Sequence, residues 1–497
     1  MSEPQETRKP SKLKLTYIVT AVAISCLMVG ASLGIIIKAT TPGFPTVIEP
    51  GSMVSGASYV VFKDGTTYYA KNGTTGAIDY SDSNARVLLQ EVSDFLGATN
   101  SAGTVYLKIG NYDIDQTLNW NAKVSLIGES FIGCENRVPK MRATVTMTTD
   151  TPLINISGGS ESYYAGTFEN IYFQNPYYAT NNIDGIKLYA AGLDMITKFK
   201  VERCAFNWLQ TSIHLQGFVY GGIWRDCEIW ATGAGGANYT TPDVLLDNRG
   251  ISPEYPKENL FDRLYVDGNS DRTAAISIEQ GDYNRFDNLL IDSPTGHFTE
   301  AVIKINNGSS NIFRDVYMMD LAAIAGFKGS IYLTSANCFG NQIDGQIARL
   351  SAVGVSGALP SVVIDDGAFR NYIGIIPFGT ACSPMINSTG AGIDNMVEIF
   401  PPHMASGTAM TITHVGTDVI FRGYGCQNSG TANITGAFST VTVNHGLATT
   451  PTIVVVTVNN TGAGNYSVSS ITLTQFVITF TNQPATSEWL FYWYAEV

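Results

Sequence analysis

NLFDRLYV (259–266), NRFDNLLI (284–291) and NIFRDVYM (311–318) are three versions of one phrase. Each opens on Asn, sets Phe two residues later and closes on alternating apolar residues. The opening recurs as Asn259-x-Phe261, Asn284-x-Phe286, Asn311-x-Phe313, Asn341-x-Ile343, Asn371-x-Ile373 and Asn395-x-Val397. The apolar residue advances by 25, 27, 30, 30 and 24 positions. A period of this size marks a repeat array, in which one unit cannot bury its apolar face alone. The units hold short β-rich pieces and polar turns, with no helical stretch. Stacked coils of a parallel β-solenoid fit, one repeat per coil at a strand spacing of ~4.8 Å.

Stacking turns equivalent positions into columns, numbered here from the apolar residue after Asn. Phe168–Phe173, Val201–Phe206 and Trp224–Ile229 continue the pattern without the leading Asn. The fourth and sixth positions are expected to face inward: Ile171/Phe173, Cys204/Phe206, Cys227/Ile229, Leu264/Val266, Leu289/Ile291 and Val316/Met318. The asparagines are expected to bridge backbone groups of neighbouring coils with their amides. The second and third positions carry opposite charges on adjacent coils, Glu202 beside Arg225 and Asp226 between Arg203 and Arg263. Such pairs contribute ~0.2–1 kcal/mol each and read as structural. Cys204 and Cys227 share a column. Stacked thiols are expected there, with a disulfide as the alternative, because stacked strands often give poor disulfide geometry.

Outward from the repeats, GTVYLKIGNYDIDQTL (103–118) and VSLIGES (124–130) continue the strand pattern. The stretch from Tyr59 to Pro401 resembles the pectate-lyase-like superfamily of right-handed parallel β-helix proteins, which includes polysaccharide lyases, polygalacturonase-type hydrolases and phage tailspikes. The resemblance implies an all-β fold, polysaccharide as the partner, and assembly into homo-oligomers, with trimers common. Phe421–Val497 resembles the β-sandwich that follows tailspike-like β-helices. Its aromatic ending, Trp489 to Tyr494, fits a sandwich core or a sugar platform.

The expected order is a cytoplasmic tail (1–14), a transmembrane helix (15–37), a Pro/Gly/Ser-rich stalk (38–58), a cap (59–130), the β-helix (131–402), a linker (403–420) and the sandwich (421–497). Leu15–Ile37 holds 23 residues without a charge, enough to cross ~30 Å of hydrocarbon. A signal peptide's apolar run is ~7–15 residues, so a retained anchor is expected. Arg8, Lys9, Lys12 and Lys14 precede it, which places the tail inside and the remainder at a cell surface or on a virion envelope. Within the cap, Val87, Leu88, Val92, Phe95 and Leu96 repeat at helical spacing, with Ser81 or Ser83 as N-cap. Sequons stand at Asn72, Asn155, Asn238, Asn307, Asn387, Asn433, Asn459 and Asn465, candidate glycosylation sites on an exported chain.

The formal charge is −13. Residues 1–38 carry five Lys/Arg and two Asp/Glu, so the remainder carries −16. That repels phosphate backbones and excludes nucleic acid as a partner. The cysteines show no C-x-x-C spacing, and neither a phosphate-cradling loop nor an H-E-x-x-H appears. No cofactor or metal is called for. Asp267-Gly-Asn-Ser-Asp271 opens like a calcium loop, but Arg272 stands where such a loop needs Gly, and an ordinary turn is expected.

At the fifth position, expected to face out, stand Tyr172, Ala205, Glu228, Tyr265, Leu290 and Tyr317. Glu228 is the acid there without an expected ion-pair partner and is the catalytic candidate. Tyr172, Tyr265 and Tyr317 are candidate sugar platforms, flanked by Trp230 and Asp267. The interval from Trp224 to Phe261 is 37 residues, so a loop near 231–257 is expected to wall this face. A glycan-binding surface protein is the expectation. A structural stalk or surface-layer subunit and a polysaccharide lyase or glycoside hydrolase are the alternatives.

Overall fold

The computed structural model describes residues 56–98, 102–130, 138–159, 166–230, 241–267, 271–292, 298–319, 322–323, 326–348, 351–352, 360–365, 367–378, 385–389, 394–400, 411–415, 419–423, 427–434, 440–447, 449–458, 466–480 and 489–497. The tail, the membrane segment over 15–37 and nearly all of the stalk lie outside them. Among the described residues no helix is long and apolar enough to cross a membrane.

The chain opens with an antiparallel hairpin, Tyr59–Asp64 against Thr67–Asn72. Gly65 sits at its turn with φ +61°, a conformation that glycine adopts without steric cost. Helix α1 (Ala85–Ala98) follows, burying Leu88, Leu89, Val92 and Leu96 against the first coil. Its N-cap is Asn84, not Ser81 or Ser83. Asn84 Oδ1 accepts from the Arg86 and Val87 amides at 2.9 and 3.4 Å. Asp115 holds the Asn84 amide at 2.7 Å. Phe95 is half exposed, with its ring edge on Tyr59.

From Thr104–Leu107 onward the strands stack in parallel. One face is an 11-stranded sheet running from Leu118–Asn121 to Thr411–Val415. The rest of each coil joins a 20-stranded sheet, whose repeat strands are represented by Ile223–Trp230, Leu260–Asp267 and Ile312–Met319. This is the expected parallel β-helix. All twelve inward residues named above are buried. Trp224, Phe261, Phe286 and Phe313 lie in one pile, the last three with ring centroids 4.5 and 4.4 Å apart and planes within 4°.

Two columns of left-handed residues recur along the stack. One is the third position: Asn170, Arg203, Asp226, Arg263, Asn288 and Asp315, at φ 51–57°. It bends the strand before its second half. The other is the residue before each asparagine: Glu258, Tyr283, Ser310, Gly340, Arg370 and Asp394, at φ 53–66°. The asparagines that follow form a buried ladder. From Asn284 through Asn395, each Oδ1 accepts the backbone N–H and the side-chain amide of the asparagine one coil before, at 2.9–3.2 Å.

Arg225 bridges Glu202 and Asp262 at 3.6 and 3.1 Å, and Arg263 meets Asp226 at 2.5 Å. Arg203 turns instead to Glu169 on the coil before. Cys204 and Cys227 are buried free thiols, as expected. Burial pushes the Cys227 thiol up to about 12.

Stacking extends beyond both expected boundaries. Thr104–Leu107 already pairs in parallel with Ser125–Gly128. Within the expected linker, Thr411–Val415 and Val419–Gly423 add a rung to each sheet. Two three-stranded antiparallel sheets follow from Gln427. They share a core of Phe476, Ile478, Phe480, Phe491 and Trp493, the expected β-sandwich. Phe491 and Trp493 point into that core, while Tyr492 is half exposed.

Candidate functional site

Past the bend at the third position, the strand has only a short second half. Side chains alternate there, so the fourth and sixth fill the core while the fifth and seventh face away from it. The fifth positions form one column by register: Tyr172, Ala205, Glu228, Tyr265, Leu290 and Tyr317. The seventh form the next: Gln174, Asn207, Trp230, Asp267, Asp292 and Met319.

Tyr172 departs from its expected role as a sugar platform. It points away from the core yet is fully buried, because Val138, Ala205 and Trp230 pack over it. Asn207 Nδ2 donates to its hydroxyl at 2.7 Å, and Lys140 Nζ lies 5.3 Å from its ring centre. Trp230 is half-buried and meets that ring edge-on at 6.1 Å. Tyr172 and Trp230 therefore close one end of this outward face.

Glu228, Tyr265, Asp267, Asp292 and Tyr317 line what remains. Tyr265 and Tyr317 are two coils apart, about 10 Å at ~4.8 Å per strand, and neither is buried. Glu228 lies one strand before Tyr265 in the same column. Burial pushes its carboxyl above the usual carboxylate range, which suits a proton donor. Asp267 and Asp292 are direct neighbours on adjacent strands. The Tyr265 hydroxyl is pushed up to about 12, first by burial and then by Asp267, Asp292 and Glu228. Three carboxyls thus surround one tyrosine. Asp292 was not among the expected residues, although Trp230 and Asp267 share its column. The matching endings of LYVD (264–267) and LLID (289–292) carry the signal.

Tyr317 also lines a depression of about 190 Å³ with Asp315, Asp344, Gln346 and Phe400. Gly374 keeps it open, since a Cβ there would lie 2.6 Å from Asp344 Oδ1. Residues 231–240, the core of the expected wall loop, lie outside the described residues. So do 268–270, the middle of the calcium-like loop. Its neighbour Arg272 is fully buried, 3.1 Å from Asp243 and donating to the Leu209 carbonyl at 2.9 Å. Among the described residues no group of three or more His, Cys, Asp or Glu is placed to hold a metal ion.

Of the sequons, Asn72, Asn155 and Asn387 fall in strands. Asn72 donates to Asp79 at 2.7 Å and Asn155 to Asn119 at 3.2 Å. Asn307 is half-buried after a strand end. Asn433 lies in a sandwich strand. Asn238, Asn459 and Asn465 lie outside the described residues.

No family model matches the chain, and no curated protein matches it. Solved structures do resemble it. The tailspike protein of Acinetobacter phage vB_ApiP_P1 is 12% identical, with a TM-score of 0.44 over 83% of this chain and 84% of that one. The A-module of the Azotobacter vinelandii mannuronan C-5 epimerase AlgE6 is 13% identical, with a TM-score of 0.41 over 68% and 94%. The tailspike protein gp49 of Pseudomonas phage LKA1 is 10% identical, with a TM-score of 0.33 over 82% and 92%. Tailspikes recur among the similar structures.

Proposed function

We propose that the face from Glu228 to Tyr317 binds a glycan chain and that this protein acts at a surface, on a cell or a virion. One observation carries the reading: two accessible tyrosines stand about two strand spacings (~10 Å) apart on one face, with Asp267 and Asp292 beside the interval. Aromatic faces stack on sugar rings, and carboxylates accept from sugar hydroxyls. Cleavage is the extension of this reading. Glu228 would protonate the leaving oxygen, with Asp267 or Asp292 as the second carboxylate that glycoside hydrolysis requires. The anchor over 15–37 and the exported location of the sequons belong to the same proposal.

A glycan array probed with the chain lacking 1–38 tests binding. Tyr265→Ala and Tyr317→Ala should each lower retention while the β-sheet circular dichroism spectrum is kept. An array blank for the intact protein removes the reading. Release of reducing ends, lost in Glu228→Gln, tests cleavage.

A second reading, assembly into homo-oligomers, has its own support. Ile453, Val455 and Tyr492 are about half exposed on one sheet of the sandwich. Such apolar groups on a sheet face favour a protein contact. Sedimentation of Val455→Asp against the parent checks it, with a shift to monomer expected.

A further inference from the structure

We infer that a second saccharide site lies on the 11-stranded sheet, taking a short oligosaccharide that carries amino groups or no charge. The sheet's outer face holds a cleft of about 700 Å³ that runs from Thr241 to Asn337. That volume lies within the ~300–1,000 Å³ of small-molecule sites. The cleft crosses four coils, about 14 Å of stack at ~4.8 Å per strand.

Its walls are hydrogen-bonding groups held in place. Asp247 is nearly fully buried, fixed between His214 Nε2 at 3.2 Å and Arg249 Nε at 2.5 Å. Lys304 bridges Glu279 and Glu300 at 3.0 and 2.9 Å. Ser277 and Asn306 donate to the two oxygens of Glu279 at 2.7 and 2.9 Å. Gln280, Asn307 and Asn337 add neutral amides to the lining. A wall of amides, hydroxyls and carboxylates, with Asn306, Ser277 and Glu279 fixed to one another, matches the many donors and acceptors of a sugar ring. The charge selects among sugars. Asp247 and Arg249 cancel, while Glu279 and Glu300 outnumber Lys304, leaving one net negative charge. An amino-bearing chain is favoured, a neutral one accepted and a uronate chain repelled. This site stands on residues separate from the Glu228–Tyr317 face and does not depend on that reading.

The test is calorimetric titration of the full chain, held in detergent micelles, with the β-1,4-linked glucosamine trimer, maltotriose and trigalacturonate. The expected order is glucosamine trimer, maltotriose, then trigalacturonate, with about fivefold per step for one charge near a surface. Gln280→Trp should lower affinity for the first two at least tenfold by filling the cleft. Asn337→Trp, at an exposed rim position, serves if the first variant fails to fold. Glu300→Gln should shrink the preference for the glucosamine trimer over maltotriose. Val145→Ser, at an exposed position outside both faces, should leave all three affinities within twofold. Two outcomes overturn the proposal: no heat from the glucosamine trimer or maltotriose, or affinity unchanged in the filled cleft.

Discussion

Asn311 and Asn341 are locked amide to amide. Asn341 Oδ1 accepts both the Asn311 backbone N–H and its side-chain NH₂ at 3.0 Å. Asn311 Oδ1 accepts the same pair from Asn284, and its NH₂ also reaches the Gly281 carbonyl at 2.8 Å. Asn311→Ala strands buried groups on both neighbouring coils. At ~1–3 kcal/mol per unsatisfied group, a loss of about 3 kcal/mol or more is expected. Asn311→Asp is expected to be worse, because a carboxylate faces Asn341 Oδ1 with no donor. Urea unfolding of the two variants checks the order.

Arg263 holds φ 54° at the strand bend, where glycine relaxes strain. Its ion pair with Asp226 is half exposed and is worth ~0–1 kcal/mol. Arg263→Gly is therefore expected to leave stability within about 1 kcal/mol of the parent, whereas Arg263→Val is expected to cost about 1–3 kcal/mol, because a β-branched residue is forced into the left-handed region. Equal midpoints for the two variants in thermal melts would remove the bend's conformational role.

Asp243 and Arg272 form an ion pair from which solvent is excluded on both sides. Removing one partner leaves the other charge buried without its counter-ion. Asp243→Ala and Arg272→Ala are each expected to cost about 3–5 kcal/mol, and the double variant less than the sum. A double-mutant cycle in denaturant measures the coupling. An additive cycle would show that the contact carries no energy.

Glu228 titrates above its unfolded value of 4.5 because burial disfavours the carboxylate. The folded state then holds a proton that the unfolded state releases. Stability from this group is full below pH 4.5 and is lost as pH rises through the folded value. Glu228→Gln is expected to raise the melting temperature at pH 7 more than at pH 4. An equal shift at both pH values contradicts it.

Cys204, Cys227 and Cys338 are buried, and burial raises all three thiols. Thiolate is the reactive form. Iodoacetamide is expected to leave the three unlabelled in the folded protein and to label them in urea, read by mass spectrometry of peptides.

The core columns could be read from the sequence because strand alternation and a near-constant coil length are both one-dimensional signals. The phenylalanine pile and the asparagine ladder follow from them. Exposure away from the core is different. Tyr172 occupies the position expected to face out, but Val138, Lys140 and Trp230 come from other coils to cover it. Arg203 had two acids within reach, and side-chain geometry chose Glu169. Asn84 won the helix cap through Asp115, 31 residues away. The cleft beside Asp247 needs the register of the second sheet, whose strands lack the Asn-x-Phe phrase.

Each rung of the asparagine ladder joins one coil to the next, so its bonds lie along the axis of the stack. A pull that peels the chain from the C-terminal end loads the rungs one after another. The rungs are separated by 25, 27, 30, 30 and 24 residues of chain. Each rupture would then release roughly 80–110 Å of contour length at ~3.3–3.6 Å per residue. A pull across the axis would instead shear many rungs together. The same molecule is thus tough sideways and peels from its end.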